Sequence, residues 1–192
     1  MRLLEPKTYR TMPWKNGGGT TDEVLTLPAG ADLDSFDARV SLARVDRDGP
    51  FSAFPGVDRT MVVLDGAGMT LEMADESSLS LDRASQPVAF TADDPCTGKL
   101  TDGPIIDFNV MTRRRTFRHR VRRVALEGEQ SLTCPGELTL LVVLEGQVKA
   151  VEDGTTLTLA ARDILALAPG EPVVCLSSEG EPELLLVDIW RR

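Results

Sequence analysis

The segment Met61-Val62-Val63-Leu64-Asp65-Gly66 returns as Leu141-Val142-Val143-Leu144-Glu145-Gly146, a strand-forming run closed both times by an acid and a glycine. The match continues downstream. Leu79-Ser80-Leu81-Asp82 resembles Leu157-Thr158-Leu159-Ala160, and Val88-Ala89-Phe90 resembles Leu165-Ala166-Leu167. A buried strand, a tight acid–glycine turn, an alternating strand and a second buried strand therefore occur twice in the same order. Chance similarity among Val- and Leu-rich strands is the competing reading. A duplicated β-unit predicts two barrels or jelly-roll halves in one compact body, meeting somewhere around Thr112 to Val124.

The remainder of the chain has the same strand periodicity. In Phe36-Asp37-Ala38-Arg39-Val40-Ser41-Leu42, alternation puts Phe36, Ala38, Val40 and Leu42 on one face and Asp37, Arg39 and Ser41 on the other. Short apolar runs follow at Met61 to Leu64, Ile105 to Val110, Leu138 to Leu144, Ile164 to Leu167 and Glu183 to Ile189, each bounded by turn-forming residues. These runs are too short for helices of several turns, and 16 glycines and 12 prolines are spread throughout. The expected class is all-β.

With 192 residues, 42% of them hydrophobic and 27% charged, the chain is long and apolar enough to bury a core. Its net charge of -9 works against binding to nucleic acid or to anionic membranes. Arg2, Glu5, Pro6 and Lys7 interrupt the first ten residues, which therefore lack the apolar core of a signal peptide. No run approaches the ~18 apolar residues of a membrane span. Cys96, Cys134 and Cys175 are odd in number and form no CxxC pair, so buried or semi-buried free thiols in a reducing cytoplasm are expected.

Four segments together carry a family resemblance: Pro13-Trp14-Lys15-Asn16-Gly17-Gly18-Gly19-Thr20-Thr21, Arg39-Val40-Ser41-Leu42-Ala43, Gly49-Pro50-Phe51-Ser52-Ala53-Phe54-Pro55-Gly56-Val57-Asp58-Arg59, and Asp107-Phe108-Asn109-Val110-Met111 followed by arginines. The chain resembles the HutD/Ves family. The first and third segments are specific as a pair, and the last third of the chain matches only in general strand pattern. Ala38 is a departure, since many members carry Trp there. The resemblance implies a bicupin, two RmlC-like jelly-roll barrels over residues 1–112 and 113–192, and an association with histidine utilisation.

A catalytic cupin usually gathers two or three histidines and a carboxylate around a metal. This chain has one histidine, His119, set between Arg118 and Arg120, where neighbouring cations disfavour both a proton and a metal ion. No bound metal or other cofactor is expected. The same shortage removes the base of a Ser-His-Asp or Cys-His hydrolase.

The most site-like stretch is Lys15, Asn16, Gly17, Gly18, Gly19, Thr20 and Thr21. Three glycines let main-chain N–H groups approach a ligand, and the lysine, the amide and the hydroxyls beside them suit a carboxylate held in a backbone nest. A glycine-rich turn between strands is the alternative. Val24-Leu25-Thr26-Leu27 follows as a strand, which excludes a P-loop. Arg59 stands at the end of a stiff loop containing Phe51 and Phe54, just before a buried strand, and offers a forked cation for a carboxylate. A salt bridge with Asp58 or Asp65 is its other reading. Asn109 projects opposite to Phe108, either as an inward polar group orienting a ligand or as a satisfied strand asparagine.

The run Arg113-Arg114-Arg115-Thr116-Phe117-Arg118-His119-Arg120-Val121-Arg122-Arg123 concentrates positive charge in an acidic protein. With no docking element in the chain, direct nucleic-acid contact is not expected. A salt-bridge network within the chain, or one bridging the subunits of a homodimer, is expected instead. The functional expectation is a non-catalytic protein that binds a small anionic metabolite in its first barrel, at Lys15, Asn16, Gly17, Gly18, Gly19, Thr20, Arg59 and Asn109. The resemblance points to urocanate or N-formylglutamate as the ligand. The alternatives are a metal-independent isomerase or lyase using Tyr9, Lys15 or Asp107, and an interaction protein that docks a partner on the arginine run.

Overall fold

A computed structural model describes residues 1–172 and 174–192. Among the described residues the only helical element is a 3-10 turn at Pro6–Thr8. The strands are β1 (Arg2–Leu4), β2 (Arg10–Pro13), β3 (Gly19–Leu27), β4 (Ala38–Val45), β5 (Gly49–Phe51), β6 (Val57–Asp65), β7 (Met69–Glu72), β8 (Ser78–Leu81), β9 (Val88–Thr91) and β10 (Cys96–Leu100). They continue with β11 (Ile105–Arg113), β12 (Phe117–Val124), β13 (Gln130–Leu132), β14 (Leu138–Glu145), β15 (Gln147–Glu152), β16 (Thr155–Ala160), β17 (Ile164–Leu167), β18 (Val174–Ser177) and β19 (Glu183–Arg191). No helix among the described residues is long and apolar enough to cross a membrane.

The strands form two compact units, Thr8–Phe117 and the combination of Met1–Lys7 with Arg118–Arg192. In the first, a sheet ordered β2-β3-β4-β11-β6-β9 accompanies a sheet ordered β5-β10-β7-β8. In the second, the orders are β1-β17-β14-β19-β12 and β13-β18-β15-β16. The series β4 to β11 and β12 to β19 are thus paired identically, strand for strand, and each is a jelly roll.

The duplication extends to irregularities. Pairing of β6 with β11 skips Leu64, and pairing of β14 with β19 skips Leu144, the same residue of the repeat. The following Gly66 and Gly146 have φ of 90° and 83°, which the acid–glycine turn requires.

The units differ in extent from residues 1–112 and 113–192. β1 pairs with β17, Arg2 opposite Ala166 and Leu4 opposite Ile164, so the opening residues complete the second unit rather than the first. The division in the middle falls after Phe117, because β12 pairs with β19.

Each unit has its own core. Met61, Val63, Met69, Leu71 and Ile105 are buried in the first, and Leu141, Val143, Val148, Leu159 and Leu165 in the second. Each such side chain contributes about 1.5–3 kcal/mol on burial. The expected polar face of β4 is not exposed: Arg39 and Ser41 are buried, as are Ala38 and Val40 behind them. Of the cysteines, Cys96 is buried and Cys134 partly so, but Cys175 is exposed, since it alternates with the buried Val174 and Leu176 along β18.

Candidate ligand site

Within the Thr8–Phe117 unit, the central strands turn polar side chains toward the second sheet. Residues at every second position of β11 share a face, so Asp107 and Asn109 lie on the side away from Phe108. Register sets Met61 of β6 opposite Asn109, and Arg59 opposite Met111. Arg59 lies inside β6, two residues beyond the loop end where the sequence placed it.

From there Arg59 donates from Nε to Asn109 Oδ1 at 2.9 Å and from Nη2 to the same oxygen at 2.5 Å. Asn109 Nδ2 in turn donates to Asp107 Oδ1. One amide thus joins a cation to an anion, with its oxygen toward the guanidinium and its nitrogen toward the carboxylate. Residual exposure falls along the chain of contacts, from 7% at Arg59 through 2% at Asn109 to none at Asp107. All three side chains are therefore buried, Asp107 most completely.

Aromatic rings flank the cation. The Arg59 guanidinium carbon lies 5.0 Å from the centroid of Phe51 and 5.8 Å from that of Phe90. Trp14 meets Phe51 edge to face at 5.6 Å and donates from its indole N–H to Thr21 Oγ1 at 2.8 Å. Alongside, Arg39 Nε donates to Glu23 Oε2 at 2.8 Å, and Arg39 Nη1 donates to Ser41 Oγ at 3.2 Å. The interior thus carries two guanidiniums and two carboxyl groups.

Burial pushes the Asp107 carboxyl up to about 6, against the opposing pull of Arg59 and of the Asn109 hydrogen bond. Its Oδ2 is buried without a hydrogen-bond partner among the described residues. Burial also lowers the proton affinity of Arg59; Asp107 and Cys96 oppose that effect and Arg39 adds to it. The arrangement is a balanced set of charges in which an acid raised to about 6 is joined to a cation through one amide.

The other expected site residues lie apart from this cluster. Lys15, Asn16 and Gly17 are exposed on the turn between β2 and β3. Gly17 N–H donates to Trp14 O and Gly18 N–H to Asn16 Oδ1, both at 2.9 Å, so the turn itself engages these amides that the sequence reading assigned to a ligand. Gly19 serves a close approach of strands: a Cβ there would lie 2.1 Å from Arg44 O. Thr20 sits opposite Arg44 and Pro13, on the other face of β3 from Thr21. Trp14, through Phe51, is what connects the turn to the buried cluster.

Glu23 was not singled out from sequence, and Trp14, Arg39 and Ser41 entered only within the segments that carry the family resemblance. Their one signal was a pair of opposite charges on two adjacent strands, at Glu23 and Arg39. Asp58, considered as a partner for Arg59, instead accepts from Arg114 at 2.8 Å.

The arginine run resolves largely into internal pairs. Arg113 donates to the Phe36 carbonyl, Arg114 also holds Asp93 at 2.6 Å, Arg118 covers the Trp190 ring, and Arg123 faces Glu183 at 3.4 Å.

Comparison with known proteins agrees with this architecture. The HutD family model matches residues 6–185. An uncharacterized 21.2 kDa protein in the hutC 3' region of Pseudomonas putida is 33% identical over 192 residues, all of this chain and 94% of the relative. HutD from Pseudomonas fluorescens SBW25, solved in a formate condition, superposes with a TM-score of 0.82 at 29% identity, covering 100% of this chain and 98% of that one. A cupin 2 conserved barrel domain protein from Leptotrichia buccalis, 11% identical, superposes with a TM-score of 0.68 over 98% of both chains and shows the cupin fold. The duplicated jelly roll is accordingly a bicupin, and the chain belongs to the HutD family.

Proposed function

We propose that the chain binds a small carboxylate metabolite reversibly in its Thr8–Phe117 barrel and thereby modulates histidine utilisation. The observation that carries this reading is the Arg59–Asn109–Asp107 relay, with its cation flanked by Phe51 and Phe90. A guanidinium held between aromatic faces suits an oxyanion attached to a planar or extended body. Urocanate and N-formylglutamate have that chemistry. Membership of the HutD family and the relative beside hutC support the pathway link. In this reading Arg59 and Asn109 orient the carboxylate. Lys15, Asn16, Gly17 and Gly18 on the neighbouring turn, with Gly19 and Thr20 at the start of β3, act through Trp14.

Thermal unfolding of the whole chain with each metabolite is the test. A ligand at 100 times its Kd should stabilise by about 2.7 kcal/mol. Arg59→Gln should abolish the shift, and Lys15→Ala should weaken it. Absence of a shift with both metabolites, or an unchanged shift in Arg59→Gln, counts against the reading.

The Asp107 carboxyl, raised to about 6 and with one oxygen unpartnered, favours a second reading as a metal-independent isomerase or lyase. A group of that acidity exchanges protons readily near neutrality. Incubating the candidate ligands with the protein in D2O distinguishes the two: Asp107-dependent deuterium incorporation or product formation signals catalysis, and unaltered ligand signals binding alone.

A further inference from the structure

We propose that the barrel built by Arg118–Arg192 contains a separate binding site, for a small and largely apolar molecule bearing a neutral carbonyl acceptor. A cavity of about 250 Å³ lies in this barrel, with Leu141, Leu176 and Leu186 at its base, Gln130, Ser131 and Thr133 along one side, and Arg122 and Asp188 at one end. At about 30 Å³ for each water-sized group, it has room for about eight of them.

The strand register places this cavity where the other barrel holds its polar relay. In β6 and β11, Val63 faces Asp107 and Met61 faces Asn109. In β14 and β19, the matching pairs are Val143 with Leu184 and Leu141 with Leu186. The two polar positions of the first barrel are leucines in the second. The same interior location is filled by the relay in one repeat and left open, with leucines at its base, in the other.

The polar end of the cavity selects the ligand's head group. Arg122 Nη2 donates to Asp188 Oδ2 at 3.2 Å, and Thr139 Oγ1 donates to Asp188 Oδ1 at 2.8 Å. Arg122 Nε is buried and has no acceptor among the described residues. A buried donor without an acceptor is destabilising, so an acceptor delivered to this point is favoured. The Asp188 carboxylate already neutralises the guanidinium, so a second anion is repelled while a neutral carbonyl is not. The leucines accept the apolar remainder. This site does not depend on the relay at Arg59.

The test titrates the full chain, 13C-labelled at leucine methyls, with benzamide, benzoate and toluene. Benzamide should move the methyl signals of Leu141, Leu176 and Leu186 saturably. Benzoate and toluene should bind at least about five-fold more weakly, benzoate for its charge and toluene for its missing acceptor. Arg122→Met should weaken benzamide at least about five-fold, and Arg59→Gln should leave its affinity unchanged. Leu176→Phe, which fills the cavity, provides a second variant should Arg122→Met fold poorly, and it should abolish binding. The proposal is overturned if benzamide leaves these methyls unmoved. Toluene or benzoate binding as tightly as benzamide, or benzamide binding surviving in Leu176→Phe, also overturns it.

Discussion

Asp107→Asn removes a titrating carboxyl from the first barrel while keeping its shape. The folded protein holds the Asp107 proton with a pKa of about 6, against 3.8 for the free side chain. A raised acid is worth most to the folded state while protonated. Its contribution is complete below the unfolded value and is lost as pH rises through the folded one. A gap of about two decades, at about 1.4 kcal/mol each, makes the full loss about 3 kcal/mol. Roughly 2 kcal/mol of it falls between about pH 4.5 and about pH 7. Urea unfolding of wild type and variant, followed by tryptophan fluorescence at several pH values, measures the difference between them. Taking the difference cancels other groups, including Asp93, whose pKa is lowered by the Gly56 amide and Arg114 and which acts in the opposite direction. The variant should gain on wild type steadily as pH rises. A difference constant with pH, or a wild type that gains on the variant, would refute the claim that burial outweighs the attraction of Arg59.

Two further substitutions probe the same barrel. Glu23→Gln leaves the buried Arg39 guanidinium without its anion and should cost about 3–5 kcal/mol in chemical unfolding; a loss under about 1 kcal/mol would show that the pair is solvated. Gly19→Ala forces a methyl to within 2.1 Å of Arg44 O and should destabilise by about 1–3 kcal/mol. Gly17→Ala, at φ 66° on the exposed turn, should cost only about 1 kcal/mol, and the reverse order of melting temperatures would contradict the assignment of Gly19 to strand contact.

The duplicated jelly roll was legible because its marks are local. Met61 to Gly66 and Leu141 to Gly146 each combine a strand-forming run with a turn that only glycine satisfies easily. Arg59 and Asn109 were legible as polar residues beside apolar runs, and both enter the buried relay. Arg39, Ser41 and Glu23 were not. Period-two alternation shows which residues share a face but not which face is solvated, and the polar face of β4 is buried. The glycine-rich stretch has two readings for a related reason. Close approach of a backbone to a ligand and close approach of two strands call for the same residue, and at Gly19 the partner is Arg44. The place of β1 was out of reach, because nothing in Arg2-Leu3-Leu4 names a partner more than a hundred residues away.

That partnership imposes an order on synthesis. Once made, β1 cannot hydrogen-bond to Ile164–Ala166 until those residues, more than a hundred positions later, have been translated. The Thr8–Phe117 barrel is therefore made while β1 is still unpaired, and the barrel containing Arg118–Arg192 stays open at one edge until β1 returns. Closure of the second sheet is thus a late, long-range event, and the nascent protein exposes a bare strand edge until it happens.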